Sequence, residues 1–195
     1  MNNRYLTEGG FVLFISKING KTRPLLDYTL HSAVEKETPL LYLSLEMDGA
    51  ALINRLIERK SGIGEGKIRK GALSVAEFDS FRKGTDVIYQ SPLFIEDGIP
   101  VELSDVEDII LKAKAESGVE IVVVDYPGLL KVNGEADSTR RLKKVCRELS
   151  RLSKDHSITI VGSILQPRSG KIEDEEVLTS LADEVIDLRS AHSQG

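Results

Sequence analysis

A Gly-Lys-Thr tripeptide at positions 20–22 is the sequence feature with the clearest chemistry. It follows an apolar run at 11–15 and precedes a helical pattern that begins near Leu25. In a loop between a strand and a helix, backbone N–H groups wrap phosphate oxygens and a lysine ammonium reaches the outer phosphates. A threonine hydroxyl in the same loop ligates Mg²⁺. The order of strand, loop and helix therefore predicts a P-loop in which Lys21 binds phosphate and Thr22 binds the metal.

The predicted nucleotide-binding stretch runs from the strand into the helix and comprises Ser16, Lys17, Ile18, Asn19, Gly20, Lys21, Thr22 and Arg23. Its pattern is incomplete, because counting back from Gly20 places Ile15 where a P-loop has its first glycine. A β-branched residue resists the torsions that a tight turn out of a strand requires. A Gly-Lys-Thr match also occurs in surface turns, so a turn without a ligand stays open as the alternative.

Three polar residues that follow other apolar runs are candidates for the remaining chemistry. Asp125 closes the run 119–124, Glu46 follows 40–45, and Gln166 lies just beyond 158–161. A carboxylate at the position of Asp125 can hold Mg²⁺ through water, and Glu46 can orient or deprotonate an attacking water. Gln166 can sense the terminal phosphate. The alternative for both acids is that they cap the next helix or turn.

Apolar runs alternate with amphipathic helical patterns along the whole chain, which predicts an α/β fold with a mainly parallel, twisted sheet covered on both faces. In such sheets ligands bind at the carboxyl ends of the strands, where the candidate residues fall. Two capping boxes are predicted, at Ser74–Glu77 and Ser104–Glu107, and helix ends are predicted at Gly62 and Gly118.

The composition is that of an ordinary globular protein, with 41% hydrophobic and 29% charged residues among 195. The single cysteine, Cys146, cannot form an internal disulfide, and no Cys/His cluster has metal-binding spacing. No apolar run approaches the ~18 residues of a membrane span. We therefore expect a cytoplasmic protein without a membrane partner.

The net charge of −5 argues against a protein that coats nucleic acid with its whole surface. Basic residues nevertheless crowd one helical segment, which carries Glu148 as its only acid; they are Arg140, Arg141, Lys143, Lys144, Arg147, Arg151 and Lys154. This stripe is a candidate nucleic-acid surface, and the alternative is a solvated helix face. Two polar loops, at 131–139 and 166–174, flank the segment.

Three stretches, Leu43–Met47, Pro92–Asp97 and Ile121–Tyr126, resemble in order and approximate spacing the ATPase domain of DnaB-type replicative helicases. The Ser-Leu-Glu-Met element is specific to that family among RecA-like ATPases, and the resemblance covers roughly residues 6–168. It implies a RecA-like core that binds ATP and Mg²⁺ and moves on single-stranded DNA. A homo-hexamer or an association with replication proteins is implied as well.

By the family's pattern Glu46 is the catalytic base and Asp125 the Walker B acid, while Lys21 and Thr22 bind phosphate and metal. The loops Lys131–Arg141 and Gln166–Lys171 would face the central DNA channel, with Arg140, Arg141, Arg168 and Lys171 as the residues that contact DNA. The sequence departs from the pattern at Ile15, and at Ser163, which is not followed directly by glutamine.

A single RecA-like ATPase domain is predicted for residues 1–195, without the family's helical N-terminal domain and C-terminal arginine-finger hairpin. Two alternatives to the ATPase motor remain. One is a degenerate, non-catalytic helicase relative that acts as a binding module in DNA replication. The other is a small-molecule kinase on the same fold, for which no acceptor-binding segment is evident.

Overall fold

Six parallel strands form the centre of the molecule, as seen in a computed structural model that describes residues 9–17, 22–98, 101–167 and 170–189. The strands are β1 (Gly10–Lys17), β2 (Leu40–Ser44), β3 (Leu93–Glu96), β4 (Ile121–Asp125), β5 (Thr159–Gln166) and β6 (Glu184–Asp187). They pair in the order β3-β2-β4-β5-β1-β6, and every pair is parallel. The predicted α/β fold with a parallel sheet is therefore confirmed.

Helices cover both faces of this sheet. They are α1 (Thr22–Thr29), α2 (Gly49–Ser61), α3 (Glu65–Arg69), α4 (Val75–Gln90), α5 (Val106–Ser117), α6 (Ser138–Asp155) and α7 (Glu175–Ser180). Helix α1 begins three residues earlier than the apolar pattern predicts and continues into a π-helical turn at Leu30–Glu35. Pro24 is tolerated in its first turn, because N–H groups there have no intrahelical acceptor. None of the helices in the described ranges is long and apolar enough to cross a membrane.

The central strands are buried on both faces, which explains their nearly continuous apolar sequences. Along β4, Val122 and Val124 pack into a core with α5 and α6, whereas Val123 packs into a second core with α1, α2 and α4. This alternation follows from the two-residue period of a strand. It separates the side chains at the carboxyl end of the sheet into two sets, one on each face.

The helix boundaries depend on capping residues, and one predicted cap is wrong. Ser74 and Glu77 form the predicted capping box of α4, and α2 and α5 end at glycines with φ of 74° and 63° as predicted. At α5, however, residues Leu103–Asp105 form a 3₁₀ turn and no side chain caps the helix. The Glu107 carboxylate bonds His156 at 2.8 Å and Arg151 at 2.9 Å instead. These distant partners prevent the predicted box.

Candidate nucleotide-binding site

Buried polar side chains gather where the carboxyl ends of β1, β2, β4 and β5 meet the start of α1. They are Ser16, Thr22, Ser44, Asp125 and Ser163, none more than 7% exposed. Polar groups in a core are costly unless they are hydrogen-bonded, so such a cluster is uncommon in purely structural cores. Its place at the carboxyl ends of parallel strands is the place where α/β sheets bind ligands.

The strand register puts this cluster on a single face of the sheet. Ser44 lies opposite Asp125, and Ser163 lies opposite Phe14. Phe14 packs into the core that includes α1, so these side chains face α1 as well. Thr22 is the first residue of α1 and is buried beside them. Residues from five elements, β1, α1, β2, β4 and β5, thus form one polar cluster at the start of α1.

Asp125 is buried within this cluster and is 1% exposed. Its Oδ2 accepts a hydrogen bond of 2.7 Å from the hydroxyl of Tyr42, a side chain with no exposed surface. Burial raises the pKa of Tyr42 well above its usual range, and the charge of Asp125 and its hydrogen bond raise it further. The charge of Glu46 raises the pKa of Tyr42 too, whereas that of Arg55 on α2 lowers it. The charges of both predicted acids therefore raise the pKa of the same phenol.

Glu46 lies two residues beyond β2 and is exposed. The chain here stays beside β4, because the Leu45 N–H donates to the Asp125 carbonyl at 3.0 Å. The cap of α2 is supplied by Asp48, which accepts from the Ala51 N–H at 2.7 Å. The alternative in which Glu46 caps the next helix is therefore excluded, and its carboxylate lies at the carboxyl edge of the sheet.

Two hydroxyls in the cluster lack a hydrogen-bond partner within the described part of the chain. They are Ser16 Oγ on β1 and Ser163 Oγ on the adjacent β5. Orphaned buried hydroxyls are rare, and a polar ligand above them would satisfy them. The residue set therefore fits a bound phosphate-bearing ligand. The predicted phosphate-binding residues Ile18, Asn19, Gly20 and Lys21 lie outside the described residues.

Ile15 lies inside β1 rather than at a turn, which corrects the expectation from the P-loop pattern. It pairs with Ile164 and with Asp187, is 1% exposed, and packs into the core with α5 and α6. The strand continues to Lys17, which is exposed. A β-branched side chain suits an extended strand, so the conformational objection to Ile15 does not apply. Arg23 is exposed on the first turn of α1.

Gln166 does not lie beyond its strand, as the sequence predicts, but is the last residue of β5, paired with Lys17. Alternation along β5 places Gln166 on the side of Ile164, opposite to Ser163 and Asp125. Its Nε2 donates to the Gly170 carbonyl at 2.7 Å. The structure thus places Glu46 and Asp125 at the carboxyl ends of adjacent strands and ties Gln166 to the second polar loop.

Most cations of the basic helix α6 are paired with carboxylates. Lys143 contacts Asp174, Lys144 lies 3.0 Å from Glu135, and Lys154 lies 3.2 Å from Asp183. Arg151 contacts a group of three acids, Glu107, Glu148 and Asp155. For these cations the alternative of an ordinary solvated helix face holds.

The remaining predicted DNA-contacting residues lie at the N-terminal end of α6 and in the second loop. Arg140 and Lys171 are exposed, and no ion pair is recorded for Arg140 or Arg141 within the described ranges. Arg141 lines an open concavity of about 460 Å³ beside the first loop, with Lys131 and Glu102. Arg168 lies outside the described residues.

A metal ion at this site would need ligands from the nucleotide as well as from the chain. Over the described ranges, no three His, Cys, Asp or Glu side chains form a group able to hold an ion. Mg²⁺ is usually bound through one or two carboxylates together with substrate phosphates, and it keeps several waters. Thr22 and Asp125 fit that pattern.

Tyr42 is a site residue that sequence reasoning did not single out. It is the one aromatic residue in the run 40–45, which otherwise holds four leucines and Ser44, and a buried tyrosine hydroxyl usually has a partner. That signal was present in the sequence. Ser163 was named from the sequence only as a departure from the family's pattern, and its place beside Ser16 depends on the register of β1 and β5.

Comparison with known proteins places this geometry in a family. A family model described as the DnaB-like helicase C terminal domain matches residues 15–176. The replicative DNA helicase DnaB of Treponema pallidum (strain Nichols) is 28% identical over 143 residues, which is 73% of this chain and 33% of that protein. A probable plasmid replicative DNA helicase of Chlamydia muridarum is 26% identical over 170 residues, 87% of this chain and 37% of that protein. The chain spans about a third of the length of these two relatives.

Solved structures agree on the fold. One of them, described as an ATPase domain, superposes with a TM-score of 0.82 and 19% identity, covering 93% of this chain and 70% of that one. The structure of a DnaB-like replicative helicase and its interactions with primase gives a TM-score of 0.75 with 19% identity. The match covers 85% of this chain and 40% of that chain. The fold is that of a RecA-like ATPase domain, as the sequence resemblance implies. The chain therefore belongs to the family of DnaB-like helicase C-terminal domains.

Proposed function

We propose that this chain is the ATPase motor domain of a replicative DNA helicase. It binds ATP with Mg²⁺, hydrolyses it, and couples hydrolysis to movement on single-stranded DNA. The observation that carries the proposal is the buried polar cluster under the N-terminus of α1, with Glu46 and Asp125 acting on the same phenol. The relatives' names, replicative DNA helicases, support the coupling to DNA.

In this proposal the N-terminal turn of α1 and Lys21 bind the phosphates. Backbone N–H groups at a helix N-terminus have no intrahelical partner, and the helix dipole favours an anion there. Thr22 lies at the first position of α1 with its side chain buried, and its hydroxyl is the proposed ligand of the metal that accompanies the phosphates. The metal would supply positive charge that stabilises the charge developing on the phosphate oxygens.

Asp125 and Glu46 have different tasks because their surroundings differ. Asp125 is buried and held by Tyr42, which suits a carboxylate that orients the metal's water ligands. Glu46 is exposed at the same edge, which leaves it accessible to a water molecule that it can orient and deprotonate. Asp125 is the last residue of β4, and Glu46 lies two residues beyond the adjacent strand β2.

The DNA surface and the protein partners belong to the proposal as well. Arg140 and Arg141 at the start of α6, with Lys171 in the second loop and Arg168, are the proposed contacts to DNA phosphates. A ring of six copies would bring several such loops together on one strand. One of the similar solved structures is that of a DnaB-like replicative helicase and its interactions with primase. We propose a replication protein of that kind as a partner of this chain.

The test measures ATP binding and ATP turnover on matched variants. Calorimetry with and without Mg²⁺ on wild type and Lys21→Ala should show that the substitution weakens ATP binding strongly. Lys36→Ala, which changes an exposed lysine just after the π-helical turn, is the control and should bind normally.

Glu46→Gln should abolish turnover and leave ATP affinity within a few-fold, because binding depends on the loop and Lys21. Glu96→Gln, an exposed acid that ends the neighbouring strand β3, is the control and should retain turnover. ATP binding that is unaffected by Lys21→Ala would reject the nucleotide site. Binding without any turnover in wild type, alone or on DNA, would favour the non-catalytic module.

A further inference from the structure

Tyr42 occupies a core position that requires volume but not a hydroxyl. It lies between leucines in β2 and has no exposed surface. A large apolar side chain would fill this volume equally well, and the tyrosine adds one buried hydroxyl that needs a partner. That partner is Asp125 Oδ2 at 2.7 Å, on a residue 83 positions later in the chain.

We propose that Tyr42 is a positioning residue for the metal site, whose hydroxyl fixes the orientation of the Asp125 carboxylate toward the Mg²⁺ that accompanies ATP. This inference rests on the proposed function, since it assigns Asp125 to the metal. In this inference Tyr42 acts through the carboxylate and not by direct contact with the nucleotide or the metal.

The geometry of the two strands explains how the hydroxyl reaches the carboxylate. Tyr42 is paired with Val123, one side-chain pair before Ser44 and Asp125 on the same face of the sheet. Its ring is packed in the core with α1 and α2, so the phenol extends from a fixed base toward the carboxyl end of the strands. Rigid strands and a packed ring hold the donor in place.

A carboxylate benefits from such a support because its terminal torsion is loosely defined. The final torsion of an aspartate is broad and nearly two-fold, so packing alone does not fix the direction of its oxygens. A hydrogen bond to an ionised acceptor is short and strong, and it selects one orientation. Mg²⁺ demands near-octahedral geometry at short distances, and a ligand set that rotates freely loses affinity.

The hydrogen bond between Tyr42 and Asp125 has two explanations. In the one proposed here, the hydroxyl orients the carboxylate toward the metal. The other explanation is that Asp125 merely satisfies a buried hydroxyl, with no consequence for the metal. The two explanations differ in what they predict for the metal dependence of nucleotide binding.

The experiment titrates Mg²⁺ into wild type, Tyr42→Phe and Tyr28→Phe in the presence of N-methylanthraniloyl-ATP and follows its fluorescence. Tyr28→Phe is the matched control, because Tyr28 is a tyrosine that is 5% exposed in the same core and lies on α1. We expect Tyr42→Phe to raise the half-saturating Mg²⁺ concentration about tenfold, the lower end of effects from outer-shell partners of metal ligands. Affinity for the analogue in EDTA should stay within about two-fold for all three proteins, and Tyr28→Phe should titrate like wild type.

A Tyr42→Phe protein that titrates like wild type would overturn the inference and leave the proposed function standing. So would an equal shift in Tyr28→Phe, which would indicate a general effect of losing a buried hydroxyl. A Tyr42→Phe protein that fails to fold would assign the hydroxyl a purely structural role and overturn the inference too. A wild type that binds no analogue would reject the proposed function itself. As a second readout, Tyr42→Phe should add no further shift to Asp125→Asn if the hydroxyl acts through that carboxylate.

Discussion

Burial decides what a reactive side chain can do, and Cys146 illustrates this at the residue scale. Its thiol lies in the core with α5 and α6, has no exposed surface, and its pKa is raised by burial to about 12. The thiolate is the reactive form, so the thiol is both hidden and almost entirely protonated at neutral pH. We expect Cys146 to react with Ellman's reagent at pH 8 only after the protein is unfolded. Rapid reaction in the native state would contradict this and would indicate local opening of α6.

Glu46 is the contrasting case, because exposure to solvent determines what it can do. Its carboxylate is exposed, whereas Asp125 and Tyr42 are buried beside it. An exposed acid can exchange protons with water, and a buried one is held in a fixed orientation by its partner. The division of labour proposed for the two acids follows from this difference.

At the scale of secondary-structure elements, two segments with the same capping pattern differ in whether they cap a helix. Ser74–Glu77 and Ser104–Glu107 both have the capping-box pattern, yet only Ser74 accepts from the backbone N–H three residues on. We expect Ser74→Ala to lower the free energy of unfolding by about 1 kcal/mol, the usual cost of losing an N-cap. Ser104→Ala, the matched control, should change it by less than about 0.5 kcal/mol, as exposed substitutions usually do.

Urea unfolding at pH 7 and at pH 4 measures both differences. Lys67 holds the pKa of Glu77 at about 2, and the Ser74 N–H contributes. A depressed folded-state pKa adds stability that is present above the ordinary carboxyl range and is lost as the pH falls toward 2. At pH 4 Glu77 stays ionised in the folded protein, so the capping box is intact and the effect of Ser74→Ala should persist. Equal effects of the two substitutions would show that the box does not stabilise α4.

At the scale of the whole molecule, the acidic balance limits how DNA can bind. The chain carries a net charge of −5, and most cations of α6 are already paired with acids. The proposed DNA-binding helix of one copy therefore offers few unpaired cations to a phosphate backbone. We expect single-stranded DNA to bind one copy with a dissociation constant on the order of 10–100 μM, typical of non-specific sites, and more weakly as salt increases.

Fluorescence anisotropy with labelled oligo-dT at two salt concentrations tests this expectation. Arg141→Ala should weaken binding, because Arg141 lies at the loop end of α6 with no ion pair recorded for it in the described ranges. Arg151→Ala removes the same charge ten residues along the helix, where three carboxylates already hold the guanidinium, and should have little effect. Equal losses would mean that only net charge matters. No binding at low salt by an assembled ring would reject the motor function.

The parts of the structure that the sequence predicted are those that local patterns encode. Apolar strand runs alternate with helical patterns of about 3.6-residue period along the sequence. This alternation predicts the parallel sheet and the helices that cover both of its faces. The glycines that end α2 and α5 and the cap at Ser74 are local in the same way. The Ser-Leu-Glu-Met element, with the stretches Pro92–Asp97 and Ile121–Tyr126, was sufficient to indicate the family.

Only the tertiary structure decided which side chains meet. The Tyr42 hydrogen bond to Asp125 and the Glu107 bond to His156 join residues 83 and 49 positions apart. Ile15 belongs to a strand and Gln166 faces away from Asp125 because of where β1 and β5 end and how they pair. A sequence pattern specifies backbone conformation over a few residues. Register and packing between distant segments select the partner of each buried polar group, because a buried donor or acceptor must find one wherever the fold provides it.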